Sequence, residues 1–326
     1  MSFKLTNPNL FFTKNDPQDL RLGDVFKSRT SAQIKSPTLN QIHFSLVGYP
    51  DHEGIQLNGG RLGAASAPNK IREFLYKMTP PLNEQALNQM SFSDLGNLET
   101  DNISTLEERH RVALDLTESL YRQGQQVISF GGGHDYGYSD AAAFIKAHGA
   151  TAPLKPVVLN FDAHLDVRPL KNGFNSGTPF YRLLNDFGGQ FEFAEIGIQP
   201  QCNSVHHKSW AREQGAHIFD LAAIEQNGGL SSLLEHPLFQ TLTPETPVFI
   251  SFDIDGLRSS DAGGCSQSWA TGLAIADFLT FFKKLSHLCR IKGLGVYEVS
   301  PELDTDNRSS KTAALIAYHF LFQRLL

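Results

Sequence analysis

The 326-residue sequence predicts a single α/β domain built on a parallel sheet, and three observations carry that reading. Short β-rich runs alternate with helical patterns along most of the chain. Several of those runs are continuously apolar rather than alternating, as strands buried on both faces of a parallel sheet are. Acidic residues and histidines collect where the apolar runs stop, and in open α/β sheets ligands bind beyond the carboxyl ends of the strands.

Residues 1–40 are polar and mixed, and read as an N-terminal arm, which leaves 41–326 as one domain. Strands are predicted at "IHFSLVGYP" (42–50), "SFSDLG" (91–96), "QVISF" (126–130) and "PVVLNFD" (156–162). Four more are predicted at "FEFAEIGI" (191–198), "HIFD" (217–220), "PVFISFDID" (247–255) and "KGLGVYEVS" (292–300). Between them "SAPNKIREFLYKM" (66–78) has a Ser cap and a Pro near its first turn. Residues 104–124 open with Ser104 and Glu107 in capping-box spacing and stop at Gly124. Residues 204–215 also end in Gly, and 309–326 are helical with one apolar face. No internal repeat, low-complexity tract or linker interrupts the pattern.

The bulk composition narrows the partners. Net charge is -6 and no Lys/Arg run offers a nucleic-acid or membrane-surface patch, so a small molecule is the expected partner. Three cysteines, Cys202, Cys265 and Cys289, stand far apart with no CxxC pair. That usage fits a reduced, cytoplasmic setting. The N-terminus carries no long apolar run of the signal-peptide kind, and no stretch is long enough to span a bilayer.

Four strand ends carry chemistry. After "QVISF" comes "GGGHDYG", where three glycines permit a tight turn, unusual φ angles and close backbone approach before His134. Taken alone, this run also fits a phosphate-type loop or a helix-capping histidine, although no Lys follows to complete a P-loop. After "PVVLN" come Asp162, His164 and Asp166. In extended chain, residues two apart share a side, so all three converge. Carboxylates so close repel one another and are costly to bury without a cation. Asp253 and Asp255 repeat the spacing after "PVFIS", where a simple turn-capping pair is the other reading. Glu298 ends the last strand and is a candidate clamp for a cationic substrate group, or half of a salt bridge.

Two His and four Asp from three strand ends, with no thiolate, suit Mn²⁺ or another divalent ion of intermediate hardness. Six side chains exceed one tetrahedral site and suit two ions sharing carboxylates.

In this order "GGGHD", "DAHLD", "SFDID" and "YEVSP" resemble the arginase/ureohydrolase family, and "NGGRLGAASAPNKIREFL" (58–75) resembles its early glycine-rich turn. The resemblance covers roughly residues 40–326. It implies a three-layer α/β/α fold with an eight-strand parallel sheet and two Mn²⁺ ions per chain. By motif match one ion takes His134, Asp162, Asp166 and Asp253, and the other takes His164, Asp162, Asp253 and Asp255. It also implies water attacking an amidine carbon, with Asp166 orienting the water and Glu298 pairing with the amidinium. Family members often form trimers or hexamers, so a homo-oligomer is expected.

Departures point to a branch. Ser176 stands where arginases and agmatinases usually carry a histidine, in "FNSGTPF". That loop, "DVRP", "GIQPQCN" (197–203) and "NDPQDLRLG" (15–23) look like the formimidoylglutamases, which cleave N-formimidoyl-L-glutamate to glutamate and formamide in histidine degradation. The alternative is a guanidino hydrolase releasing urea. A non-catalytic scaffold is the reading from another class. Arg168 is a candidate partner for a substrate carboxylate, with a loop-bracing salt bridge as the bland alternative. Asn175, Ser176 and Asn203 are candidates for the other end of the substrate, Asn203 and Gln199 being equally good turn residues. Cys265, Gln267 and Trp269 either shape the pocket or pack a loop, while Trp210, His206 and His207 read as helix packing or surface residues.

Overall fold

The computed structural model describes residues 2–38, 41–82, 84–149, 154–323 and 325. Its strands are β1 (Phe3–Lys4), β2 (Lys27–Ser28), β3 (Ile42–Gly48), β4 (Met90–Leu98), β5 (Gln126–Phe130), β6 (Val157–Phe161), β7 (Glu192–Ile198), β8 (His217–Asp220), β9 (Pro247–Asp253) and β10 (Arg290–Tyr297). They form one sheet in the order β1-β4-β3-β5-β10-β9-β6-β7-β8, with β2 also on β4. All eight strands expected from the sequence are present, and every pairing among them is parallel.

Among the described residues the sheet has ten strands where eight were expected. Both additions are two-residue strands of the N-terminal arm, β1 antiparallel and β2 parallel to β4. Two residues are too few to carry a periodic signal. The arm also sends Leu22 and Phe26 into the core.

Alternate residues of each strand enter two separate cores, which is the three-layer arrangement in physical terms. Leu46, Ile128, Leu159 and Ile250 face helices Ala67–Leu75, Ile275–Leu288 and Arg308–Leu321. Val47, Val127, Val158 and Phe249 face helices Leu106–Arg122, Tyr136–His148, Pro179–Phe187 and Val205–Glu213. Both faces of the central strands are therefore dry, and their apolar runs are continuous for that reason.

Arg72 and Asp94 pin helix Ala67–Leu75 to β4 through a fully buried bidentate pair, at 2.9 and 3.0 Å. Helix Leu106–Arg122 corrects the cap: Thr105, not Ser104, accepts a bond at 3.2 Å, from the Glu108 N–H rather than that of Glu107. Helix Tyr136–His148 has no counterpart in the sequence reading. It is buried nearly all round, so it lacks the amphipathic stripe that marks a surface helix. Among the described residues no helix is long and apolar enough to cross a membrane.

Candidate metal centre

β5, β10, β9 and β6 are neighbours in the middle of the sheet, and their carboxyl ends deliver the site. His134 follows β5, and Glu298 follows β10. Asp253 closes β9, with Asp255 in the next turn, and Asp162, His164 and Asp166 follow β6. The glycines before His134 serve close approach alone. None of Gly131, Gly132 and Gly133 has a positive φ. A Cβ at Gly132 would come 1.5 Å from the Asp51 carbonyl oxygen, and one at Gly131 would come 2.3 Å from the Tyr297 ring.

Extended-chain alternation does not bring the three residues after β6 together. The strand stops at Phe161, and a loop carries Asp162, His164 and Asp166. Asp166 takes a left-handed φ of 47° and Glu298 one of 62°. Non-glycine residues rarely hold that conformation, and such strain concentrates at functional sites. Asp253 and Asp255 are likewise joined through a turn, in which Asp253 Oδ1 accepts the Asp255 N–H at 2.9 Å.

Ligand-type atoms of His134, Asp162, Asp166 and Asp253 lie within 4.8 Å of one another, as do those of Asp162, His164 and Asp255. All six residues singled out from the sequence therefore meet, with Asp162 common to both groups. The second close group does not include Asp253, which the resemblance had assigned to both.

The arrangement fits a bound cation. His134 Nε2 lies 2.8 Å from Ser251 Oγ, which leaves Nδ1 facing carboxylate oxygens of Asp162, Asp166 and Asp253 at 3.1, 3.0 and 3.1 Å. One N–H cannot serve three acceptors, and Nδ1 has no aligned hydrogen-bond partner. Asp255 Oδ1 is also buried with no donor among the described residues. Burial, then the Asp255 and Asp162 charges, push the Asp253 carboxyl well above its usual range, and burial pushes Asp255 up to about 6. Burial acts against a proton on His134, yet the surrounding carboxylates raise it well above the ordinary histidine value. The cluster therefore attracts positive charge, and its mixed N/O donors suit a divalent ion.

A cavity of about 250 Å³ opens over this cluster, lined by His164, Asp166, Asp253, Asp255 and Glu298 and, at its mouth, by Arg168 and Ser176. Glu298 Oε1 accepts the His134 N–H at 3.0 Å. A larger cavity of about 530 Å³ lies at the opposite, amino ends of the strands and holds none of these groups.

The four candidate substrate residues divide. Arg168 and Ser176 line the cavity, whereas Asn175 and Asn203 do not. Asn175 Oδ1 accepts the Gly177 N–H at 3.0 Å and shapes the turn. Asn203 is spent on the backbone: it accepts from Leu165 N–H and donates to the Ala163 and Gln199 carbonyls, each at 2.8 Å. It braces the loop that carries His164 and Asp166. Asn203→Ala is expected to cost about 1–3 kcal/mol of stability in a urea melt, because backbone groups lose their partners, and to weaken Mn²⁺ binding.

The sequence profile of the arginase family matches residues 43–323. The chain belongs to the arginase family. It is 28% identical to the formimidoylglutamase of Bacillus subtilis, over 92% of this chain and 91% of that one. It is 28% identical to that of Paraburkholderia xenovorans, over 85% of this chain and 86% of the relative. The solved structure of a Trypanosoma cruzi formiminoglutamase with Mn²⁺ superposes with a TM-score of 0.78 at 27% identity, covering 94% of this chain and 98% of the other.

Within this arginase-family site the sequence reading missed Asn58. Its Oδ1 accepts from Arg168 Nη1 at 2.8 Å and its Nδ2 donates to Ser176 Oγ at 3.1 Å, so it ties the two mouth residues together. The only signal was its place at the start of the "NGGR" turn. Gln267 and Trp269 line the cavity, while Cys265 is fully buried beside it and burial pushes its thiol well above the usual range, which disfavours the thiolate. Trp210 stacks on Tyr181 at 4.6 Å, a packing role.

Proposed function

We propose that this chain holds two Mn²⁺ ions and hydrolyses N-formimidoyl-L-glutamate to L-glutamate and formamide, a step of histidine degradation in the cytoplasm. The observation that carries the reading is the paired His/Asp cluster at the floor of a cavity that also presents Glu298 and Arg168. Formimidoylglutamase relatives matching nearly end to end support the choice of substrate.

His134, Asp162, Asp166 and Asp253 would hold one ion, and Asp162, His164 and Asp255 the other, with Asp253 joining the second set only as the family resemblance implies. Bound there, the ions ease deprotonation of water near neutral pH and neutralise charge that develops on the attacked centre. Glu298 accepts hydrogen bonds from the amidinium nitrogens in a charge-assisted pair and sets the carbon over the cluster. Asp166 accepts a hydrogen bond from the attacking water and orients it. As the water oxygen bonds to the amidine carbon, Asp166 takes up the proton that the water gives up, and as the bond to the glutamate nitrogen breaks, Asp166 passes that proton to the departing nitrogen. Arg168, held by Asn58, faces a substrate carboxylate. Ser176 sits at the same mouth.

The test is a product assay on the Mn²⁺-loaded protein with N-formimidoyl-L-glutamate, arginine and agmatine in parallel. Formamide and glutamate without urea are expected. Urea from arginine or agmatine would replace this substrate with a guanidine while leaving the metal chemistry in place.

A further inference from the structure

Glu195 lies on β7, fully buried, and no step above uses it. Asn160 is opposite it in register on β6, and Ser251 is opposite Asn160 on β9. The three form a polar row across the sheet immediately beneath the candidate ligands. Ser251 braces His134 at 2.8 Å. Asn160 Nδ2 donates to Glu195 Oε2 at 2.8 Å and lies 3.5 Å from Asp162 Oδ2. Turning the amide over would set its oxygen against two carboxyl oxygens, so its orientation is fixed by what surrounds it.

The other two atoms of the pair are the informative ones. Among the described residues neither Glu195 Oε1 nor Asn160 Oδ1, both buried acceptors, has a donor. With Asn160 Nδ2 already on Oε2, a hydrogen on Glu195 Oε1 would turn one orphaned acceptor into a donor for the other in a cyclic carboxyl–amide pair. The charged groups that act on Glu195 are Asp162 and Asp166, which oppose its ionisation, and His134, which favours it. Burial pushes its carboxyl well above the ordinary range, against the Asn160 hydrogen bond.

We propose that Glu195 is held as the neutral acid, donating from Oε1 to Asn160 Oδ1 while Asn160 Nδ2 donates back, and that this closed pair positions Asp162 for metal binding. Glu195 is a positioning residue, and the proposal rests on the metal-hydrolase reading. It separates the buried carboxyls by role. Those at the cavity floor are ligands, and the one beneath them is a proton-bearing strut.

The test compares the parent with Glu195→Gln and Glu195→Ala by infrared difference spectroscopy and by Mn²⁺ titration. Gln preserves a neutral, two-way pair. The parent-minus-Gln spectrum at neutral pH is expected to contain the carbonyl band of a protonated carboxyl. Glu195→Gln is expected to keep the parent's Mn²⁺ affinity, and Glu195→Ala to weaken it by about tenfold to a hundredfold, as loss of an outer-shell partner does. Absence of the band overturns the neutral acid. Gln as weak as Ala, or Ala as tight as the parent, overturns the positioning role. If Ala fails to fold, Glu195→Met fills the volume without a polar atom and takes its place. A parent that binds no Mn²⁺ overturns the metal reading and the positioning role with it, while the infrared band still decides the protonation.

Discussion

Asp162→Asn is expected to leave a folded protein with kcat/KM for N-formimidoyl-L-glutamate lowered by at least about a thousandfold, since losing several kcal/mol of metal stabilisation costs a factor of ten per 1.36 kcal/mol. Asp162 is the one side chain common to both close groups. Its two oxygens face different rings, Oδ2 at 3.1 Å from His134 and Oδ1 at 3.4 Å from His164. Burial opposes its charge, yet those rings outweigh burial and hold the carboxyl well below its usual range. Asn keeps the volume and the bond that Oδ1 accepts from the His164 N–H at 2.7 Å. It removes the charge and one ligand oxygen. Metal content after dialysis and a thermal melt separate loss of the ions from loss of the fold. Full activity in this variant would contradict the assignment.

Glu298→Gln is expected to lower kcat/KM by about a hundredfold, since a hydrogen bond to a charged group contributes roughly 1.5–3 kcal/mol. Gln can still accept the His134 N–H, so the backbone at the site has no reason to move. The metal content should match the parent. The pH profile gives an independent readout. Burial pushes the Glu298 carboxyl up to about 8. Below its pKa the group is neutral and cannot pair with an amidinium, so activity falls as pH falls through that value. Cations bound beside it favour the carboxylate, which places the acid limb at or below about pH 8. Glu298→Gln should remove that limb's contribution. An unchanged profile would assign the limb to another group.

The cluster was legible in the sequence because its chemistry sits at strand ends. Apolar runs such as "PVVLNF" announce strands buried on both faces, and acids recurring at the ends of several of them are explained together by a cation better than by separate turn caps or salt bridges. The route by which they meet was not legible. Asp166 reaches the cluster through a left-handed backbone turn, which no polar/apolar pattern encodes. Substrate residues were harder for the same reason. Asn203 and Arg168 look alike as polar loop residues, yet one bonds three backbone groups and the other faces the cavity. Asn58 comes from a segment more than a hundred positions from its partners, so only the folded chain connects them. Glu195 was hidden inside the apolar run "FEFAEIGI", where its neighbours dictate strand and nothing local names its partner.

The most direct measurement is the Mn²⁺ content of the purified, reloaded and dialysed protein, taken together with turnover of N-formimidoyl-L-glutamate. The account predicts two ions per chain, with formamide released in proportion to the second ion bound. A chain that retains no ion, or that turns over the substrate equally well after chelation, would contradict it.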